Sequence, residues 1–340
     1  MKSLILKFLC FLVIMFGILN NSPSQATELT GAGATFPQPV ILAWAYQYYK
    51  QTKVKINYQG IGSGGGIRQA QERTVDFGTS DKPLTSEELR KYSLIQFPFI
   101  IGAVVITYNL PGLKNISLNF DHKAICEIYL GKINNWNDPY LRKINSNVKL
   151  PDLPITVVRR SDASGTTWLF TTYLSKACKA WKEKVGAGTS VNWPVGIGAK
   201  GNPGVTNYVK RTPGAIGYVE FIYAKQNNLP MAKLLNADGT AFVKPTIKSM
   251  QSAAGNVKWK IEKDFFADLT YQPGKTSYPI TGASFVLLPV DKPKAKEVTK
   301  FFKWVFEKGD NIAKGLYYIP LPDNLVKLIY SYWEINKIKP

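Results

Sequence analysis

The chain has 340 residues, 45% of them hydrophobic, enough for two lobes that each bury a core of their own. Lysine and arginine outnumber aspartate and glutamate 43 to 23, and the formal net charge of +20 favours anionic surroundings. One histidine and three cysteines supply a zinc site poorly, and no apolar run reaches the roughly twenty residues of a membrane span.

The chain opens as an export signal. Lys2 and Lys7 form a basic start, Phe8–Leu19 is an apolar run too short to span, and Ser24-Gln25-Ala26 offers a small-x-small cleavage site. Residues 1–26 are therefore expected to be removed. Thr30–Phe36 (TGAGATF) reads as a helix start, with a helix over 34–50 opened by Phe36-Pro37 and carrying Val40, Trp44 and Tyr48 on one face. Residues 54–59 alternate like a strand, Gly60–Gly66 (GIGSGGG) reads as a turn, and a short helix over 67–73 leads to a strand over 75–78. This βαβ unit predicts a parallel sheet.

Residues 96–108 (QFPFIIGAVVITY) form a long apolar strand that Pro111-Gly112 breaks. A helix is predicted over 122–131, a strand over 155–160, and a helix from Ser164 with Leu169, Tyr173 and Ala177 at four-residue spacing. Lys176–Lys184 spaces its lysines like a solvated helix face, whereas 186–204 reads as loop and 214–220 as strand. Residues 280–289 are a second long apolar strand, followed by helices over 293–306 and 325–333. Two long strands, one leaving the first third and one returning near residue 280, suit a protein whose chain crosses a cleft twice.

The third informative stretch is Arg160–Thr166 (RSDASGT). Helix starts leave backbone N–H groups without partners and carry the positive end of the helix dipole, so each of the three stretches is a candidate anion site. Together they predict a pocket for a small oxyanion, with Asp162 orienting Arg160 and with Asp81, in Asp76–Asp81 (DFGTSD), reading the anion's protonation. Other readings fit less well. Gly60, Gly62 and Gly65 match a dinucleotide fingerprint, and Asp81 stands about twenty residues on, but the following helix is short. Gly274-Lys275-Thr276 lacks the leading glycine of a phosphate-binding P-loop. Ser63 and Ser164 are placed for helix capping, and His122, the one histidine, reads as a surface residue rather than a base. The scattered lysines give no nucleic-acid stripe. A phosphoryl enzyme and a basic surface-interaction protein remain as the other classes. Whether Cys126 and Cys178 are joined stays open, because sequence does not set their distance.

TGAGATFPQPV, NYQGIGSGGG, TVDFGTSDKPL, QFPFIIGAVV, IYLGKINNW, VVRRSDASGTT and TPGAIGYVEFIYAKQNNL together resemble the periplasmic phosphate-binding proteins of high-affinity phosphate ABC transporters. The resemblance runs from Leu29 to the C-terminus and is densest between Thr30 and Asn228. It implies the two-lobe α/β periplasmic-binding-protein fold (type II), with the ligand in a cleft between lobes joined by two hinge strands. Lobe I would comprise residues 27–103 and 279–340, and lobe II residues 104–278. Carried over by motif, the phosphate contacts are Thr35, Phe36, Ser63, Asp81, Arg160, Ser164, Gly165 and Thr166, with Asp162 as partner of Arg160. Phe36 and Gly165 would give chiefly backbone N–H. One departure is Gly64, where many relatives carry a second serine. The resemblance further implies a non-enzymatic periplasmic receptor without cofactor or nucleic-acid partner, which delivers inorganic phosphate to a membrane permease and ATPase.

Overall fold

Fifteen consecutive buried residues, Leu94–Tyr108, form the strand around which the protein is organised. An apolar run this rich in valine and isoleucine suits a central strand covered on either side. The computed structural model describes residues 27–340, and the expected export signal, residues 1–26, lies outside the described residues. Among these, no helix is long and apolar enough to cross a membrane.

The strands in chain order are β1 (Glu28–Gly33), β2 (Lys55–Gly60), β3 (Phe77–Ser80), β4 (Leu94–Tyr108), β5 (Asn119–Phe120), β6 (Thr156–Arg160), β7 (Ile197–Ala199), β8 (Ala215–Glu220), β9 (Lys233–Leu235), β10 (Phe242–Val243) and β11 (Thr281–Pro289). Eight of them run in the order β2-β1-β3-β11-β4-β8-β6-β7, and β10-β9-β5 form a small separate sheet. β1, β2 and β3 are parallel, as the βαβ reading predicts. The partner of β4 changes halfway along it: Leu94–Ala103 pair with β11, and Val104–Tyr108 pair with β8. The sheet thus has two halves, with helices packed on both, which is the two-lobe α/β architecture.

Sterics explain the crossing. Gly102 pairs with Gly282. A Cβ on Gly102 would stand 2.9 Å from the Phe36 ring, and one on Gly282 only 2.4 Å from Leu169. Two facing glycines let side chains from both halves reach the strands at this point. Pro98 lacks the N–H a central strand needs, and the register shifts beside it, between Ser284 and Phe285 of the partner strand.

Several helices begin elsewhere than the sequence reading places them. Thr30–Gly33 belongs to β1, and the first described helix is Gln38–Thr52 rather than one starting at residue 34. Its predicted face is right: Val40, Trp44 and Tyr48 are buried. The glycine-rich turn is itself helical, because the helix Ser63–Gln71 starts at Ser63 behind Gly62, whose φ of 88° a glycine adopts without strain. The stretch 186–204, read as loop, holds β7 and the start of the helix Gly201–Arg211. The helix Gly165–Ala177 is capped by Ser164 as expected, and Lys179, Lys182 and Lys184 are exposed on the helix that follows. Cys126 and Cys178 are joined in a disulfide, with their Cα atoms 6.3 Å apart.

Candidate functional site

The three stretches meet at the crossing of the two halves. Thr35 and Phe36 lie in the turn between β1 and the helix Gln38–Thr52. Local hydrogen bonds hold that turn: Ala34 N donates to Thr79 Oγ1 at 3.0 Å, and Tyr58 OH donates to Ala34 O at 2.6 Å. Ser63 opens its helix, and Asp81 follows β3. Arg160 ends β6, while Ser164, Gly165 and Thr166 form the N-terminus of the helix Gly165–Ala177.

Close approaches show how near these groups lie. A Cβ on Gly165 would stand 2.4 Å from Ser63 Oγ and 2.5 Å from Asp81 Oδ2. A Cβ on Gly62 would stand 2.5 Å from Asp162 Oδ2, and Gly64 N donates to Ala163 O at 3.0 Å. Asp81 N donates to Ser63 Oγ at 3.1 Å. Thr35, Ser63, Asp81, Arg160, Ser164 and Thr166 are all buried. The sequence-predicted set is therefore one cluster.

Its electrostatics come from burial and pairing. Arg160 Nε donates to Asp162 Oδ1 at 2.7 Å, and Arg160 Nη2 bonds Asp162 Oδ2. Burial pushes the Asp162 carboxyl up, but the Arg160 bonds and charge, with the Gly201 N–H, hold it below the usual carboxylate range. Asp162 stays charged and keeps the guanidinium oriented. Asp81 goes the other way. Burial raises its pKa to about 7, against the opposing pull of the Ser284 hydroxyl, the Arg160 charge and the Ser63 hydroxyl. The chemistry is that of an anion receptor: helix N-termini, hydroxyls and one guanidinium, with a carboxylate poised to accept a proton.

Other residues at this site escaped the sequence reading. Asn202 donates to Thr35 Oγ1 from its side chain at 2.9 Å and to Thr166 Oγ1 at 3.2 Å, linking the two halves. Tyr223 OH donates to Thr35 O and Tyr318 OH to Phe36 O, each at 2.6 Å. Burial also raises Glu220 well above the carboxylate range. Ser284 Oγ donates to Asp81 Oδ1 at 2.5 Å. His122 is not the surface residue expected: it is half-buried against Tyr173 and Tyr271, and its Nε2 meets Leu235 O at 3.1 Å. Among the described residues no cluster of metal-ligating side chains exists.

Comparison with known proteins places the chain in a family. The PBP superfamily domain matches residues 20–308. A phosphate-binding protein PstS from Pasteurella multocida is 47% identical over 314 residues, covering 92% of this chain and 91% of its own. One from Methanocaldococcus jannaschii is 39% identical, with 94% of this chain and 88% of its own covered. Among solved structures, a high-affinity periplasmic phosphate-binding protein (PfluDING) bound with phosphate superposes with a TM-score of 0.73 at 24% identity, over 90% of this chain and 93% of its own. A phosphate-binding protein from Stenotrophomonas maltophilia gives 0.65 at 20%, over 90% and 94%. At such identities the structures speak for the fold, and the sequence relatives for the family. The chain belongs to the PBP superfamily and, within it, to the PstS phosphate-binding proteins.

Proposed function

We propose that the protein is a periplasmic receptor that holds one inorganic phosphate between its halves and hands it to the permease and ATPase of an ABC transporter. The family is one of substrate-binding transport proteins and not of enzymes. In this reading Thr35, Phe36, Ser63 and Asp81 contact phosphate from lobe I, residues 27–103 and 279–340. Arg160, Ser164, Gly165 and Thr166 contact it from lobe II, residues 104–278, and Asp162 orients Arg160. Support for that division is the change of partner along β4 between Ala103 and Val104. The observation that carries the reading is the closeness of Gly165 to both Ser63 and Asp81, which puts a helix N-terminus, a hydroxyl and a carboxylate within reach of one small ligand.

Selectivity follows from proton count. Phosphate near neutrality carries at least one proton and donates it to Asp81. Sulfate has none, and would leave two like charges facing each other in a dry site. The mismatch holds while Asp81 is ionised, and so grows as pH rises above about 7. Calorimetric titration of ligand-stripped protein with phosphate, then with excess sulfate, tests this. Tight one-to-one phosphate binding undisturbed by sulfate is expected; equal binding of both anions would remove Asp81 from the selectivity role, and binding of neither would end the receptor reading.

A further inference from the structure

Ser284 lies outside every stretch that marks the site in the sequence, yet the register of the sheet brings it there. β11 runs antiparallel to β3 with Phe285 opposite Ser80, so the next position along sets Ser284 beside Asp81. Both side chains are buried, and Ser284 Oγ donates to Asp81 Oδ1 at 2.5 Å. The other carboxylate oxygen points elsewhere. Asp81 Oδ2 lies 3.5 Å from Ser63 Oγ and faces Gly165, on which a Cβ would stand 2.5 Å from it. The two oxygens thus have separate neighbours: Oδ1 is held by the returning hinge strand, and Oδ2 faces the helix N-terminus.

A hydroxyl that donates to a carboxylate favours its ionised form and fixes its rotation. Ser63, whose Oγ lies 3.5 Å from Oδ2, does so from the opposite side and more weakly. Arg160, on β6, supplies the nearby positive charge but is already paired with Asp162. Glu220, at the end of β8, and Tyr58, Tyr223 and Tyr318 all interact electrostatically with Asp81, and burial raises the pKa of each of them.

Resting on the phosphate reading above, we propose that Ser284 is a positioning residue that sets anion selectivity: it occupies Asp81 Oδ1 and favours the ionised carboxylate, leaving Oδ2, beside Ser63 Oγ, to accept a proton from the ligand. Without this hydroxyl Asp81 takes up a proton at higher pH and becomes a donor. A fully ionised anion then meets an O–H instead of a bare negative charge.

The test is calorimetric titration of stripped protein with phosphate and with sulfate across about pH 5 to pH 9, for the unaltered chain, Ser284→Ala and Ser284→Thr, with melting curves to confirm folding. The unaltered protein is expected to accept sulfate increasingly as pH falls through about 7. Ser284→Ala moves that onset upward by about one to two pH units, the equivalent of one hydrogen bond to a charged group, while Ser284→Thr restores it. Adding Ser284→Ala to Asp81→Asn leaves the sulfate profile of Asp81→Asn unchanged. An onset that stays put in Ser284→Ala, or an equal weakening of both anions at every pH, overturns the proposal while leaving phosphate binding intact. Failure of the unaltered protein to bind phosphate overturns the phosphate reading and this one with it.

Discussion

At the scale of single residues, the site is governed by carboxylates whose environments push them apart. Arg160 holds Asp162 charged, whereas burial holds Asp81 near neutrality. The sign of the second effect is definite. A carboxyl whose folded pKa lies above its unfolded value contributes stability at low pH, and loses it as pH rises from the ordinary carboxylate range through about 7. Asp81→Asn, which cannot ionise, is therefore expected to raise the thermal midpoint of stripped protein at about pH 8 and to change it little at about pH 5. Differential scanning calorimetry at the two pH values checks this. A gain of equal size at both would mean that the charge of Asp81 is not what costs stability. Thr35, Ser63, Arg160 and Ser164 entered the proposed site because they fall in stretches that resemble the family's motifs, and the structure brings those stretches together. Ser284, Asn202 and Tyr318 were not legible in the sequence, since a serine in a strand or a tyrosine in a core announces no partner far along the chain.

At the scale of elements, strands were read better than helix starts, for a physical reason. An apolar run such as Leu94–Tyr108 can only be a buried strand or a buried helix, and its valines and isoleucines favour the strand. Helix starts in Gly-, Ser- and Thr-rich stretches depend on tertiary contacts instead. Ser63 opens a helix while Gly64 N is engaged by Ala163 O from the other half. The helix from Gly201 is fixed partly by Gly201 N donating to Asp162 Oδ1 at 3.0 Å. The N-terminus at Gly165 is tight, and no Cβ fits there against Ser63 and Asp81. Gly165→Ala is expected to weaken phosphate binding by about a hundredfold or more, since misplacement by about 1 Å has that effect in oriented sites. Its circular dichroism should remain that of the unaltered protein. Titration with phosphate decides it, and affinity within about threefold of the original would show that Ser63 and Asp81 have room to move.

At the scale of the whole molecule, the two halves are joined by more than β4 and β11. Asn202 spans Thr35 and Thr166, and the segment before β11 touches both sides. In that segment Asp264 O accepts from Gln96 Nε2 at 3.0 Å and Asp264 Oδ1 from Tyr332 OH at 2.6 Å, while Lys176 Nζ reaches Asp268 at 2.7 Å. The Cys126–Cys178 bridge, by contrast, ties the helix His122–Tyr129 to the end of the helix Gly165–Ala177, within one half. Its ends are 52 residues apart in sequence, so its reduction is expected to lower unfolding free energy by roughly 2–4 kcal/mol and to leave phosphate affinity nearly unchanged. Denaturant unfolding and phosphate titration, with and without reductant, measure the two effects. A large loss of affinity in folded, reduced protein would place the bridge in the binding machinery.

The sequence by itself determined the α/β class, the long central strands, and the helix face that buries Trp44 and Tyr48, and it supplied the residue types on which the proposed oxyanion pocket rests. Those follow from hydrophobic period, chain stiffness and side-chain chemistry, which are local. Only the tertiary structure decided that Cys126 meets Cys178, that Gly102 faces Gly282, and that Ser284 takes one oxygen of Asp81. Each joins residues distant in sequence through strand register and helix packing, where one residue of slip would turn Ser284 to the opposite face.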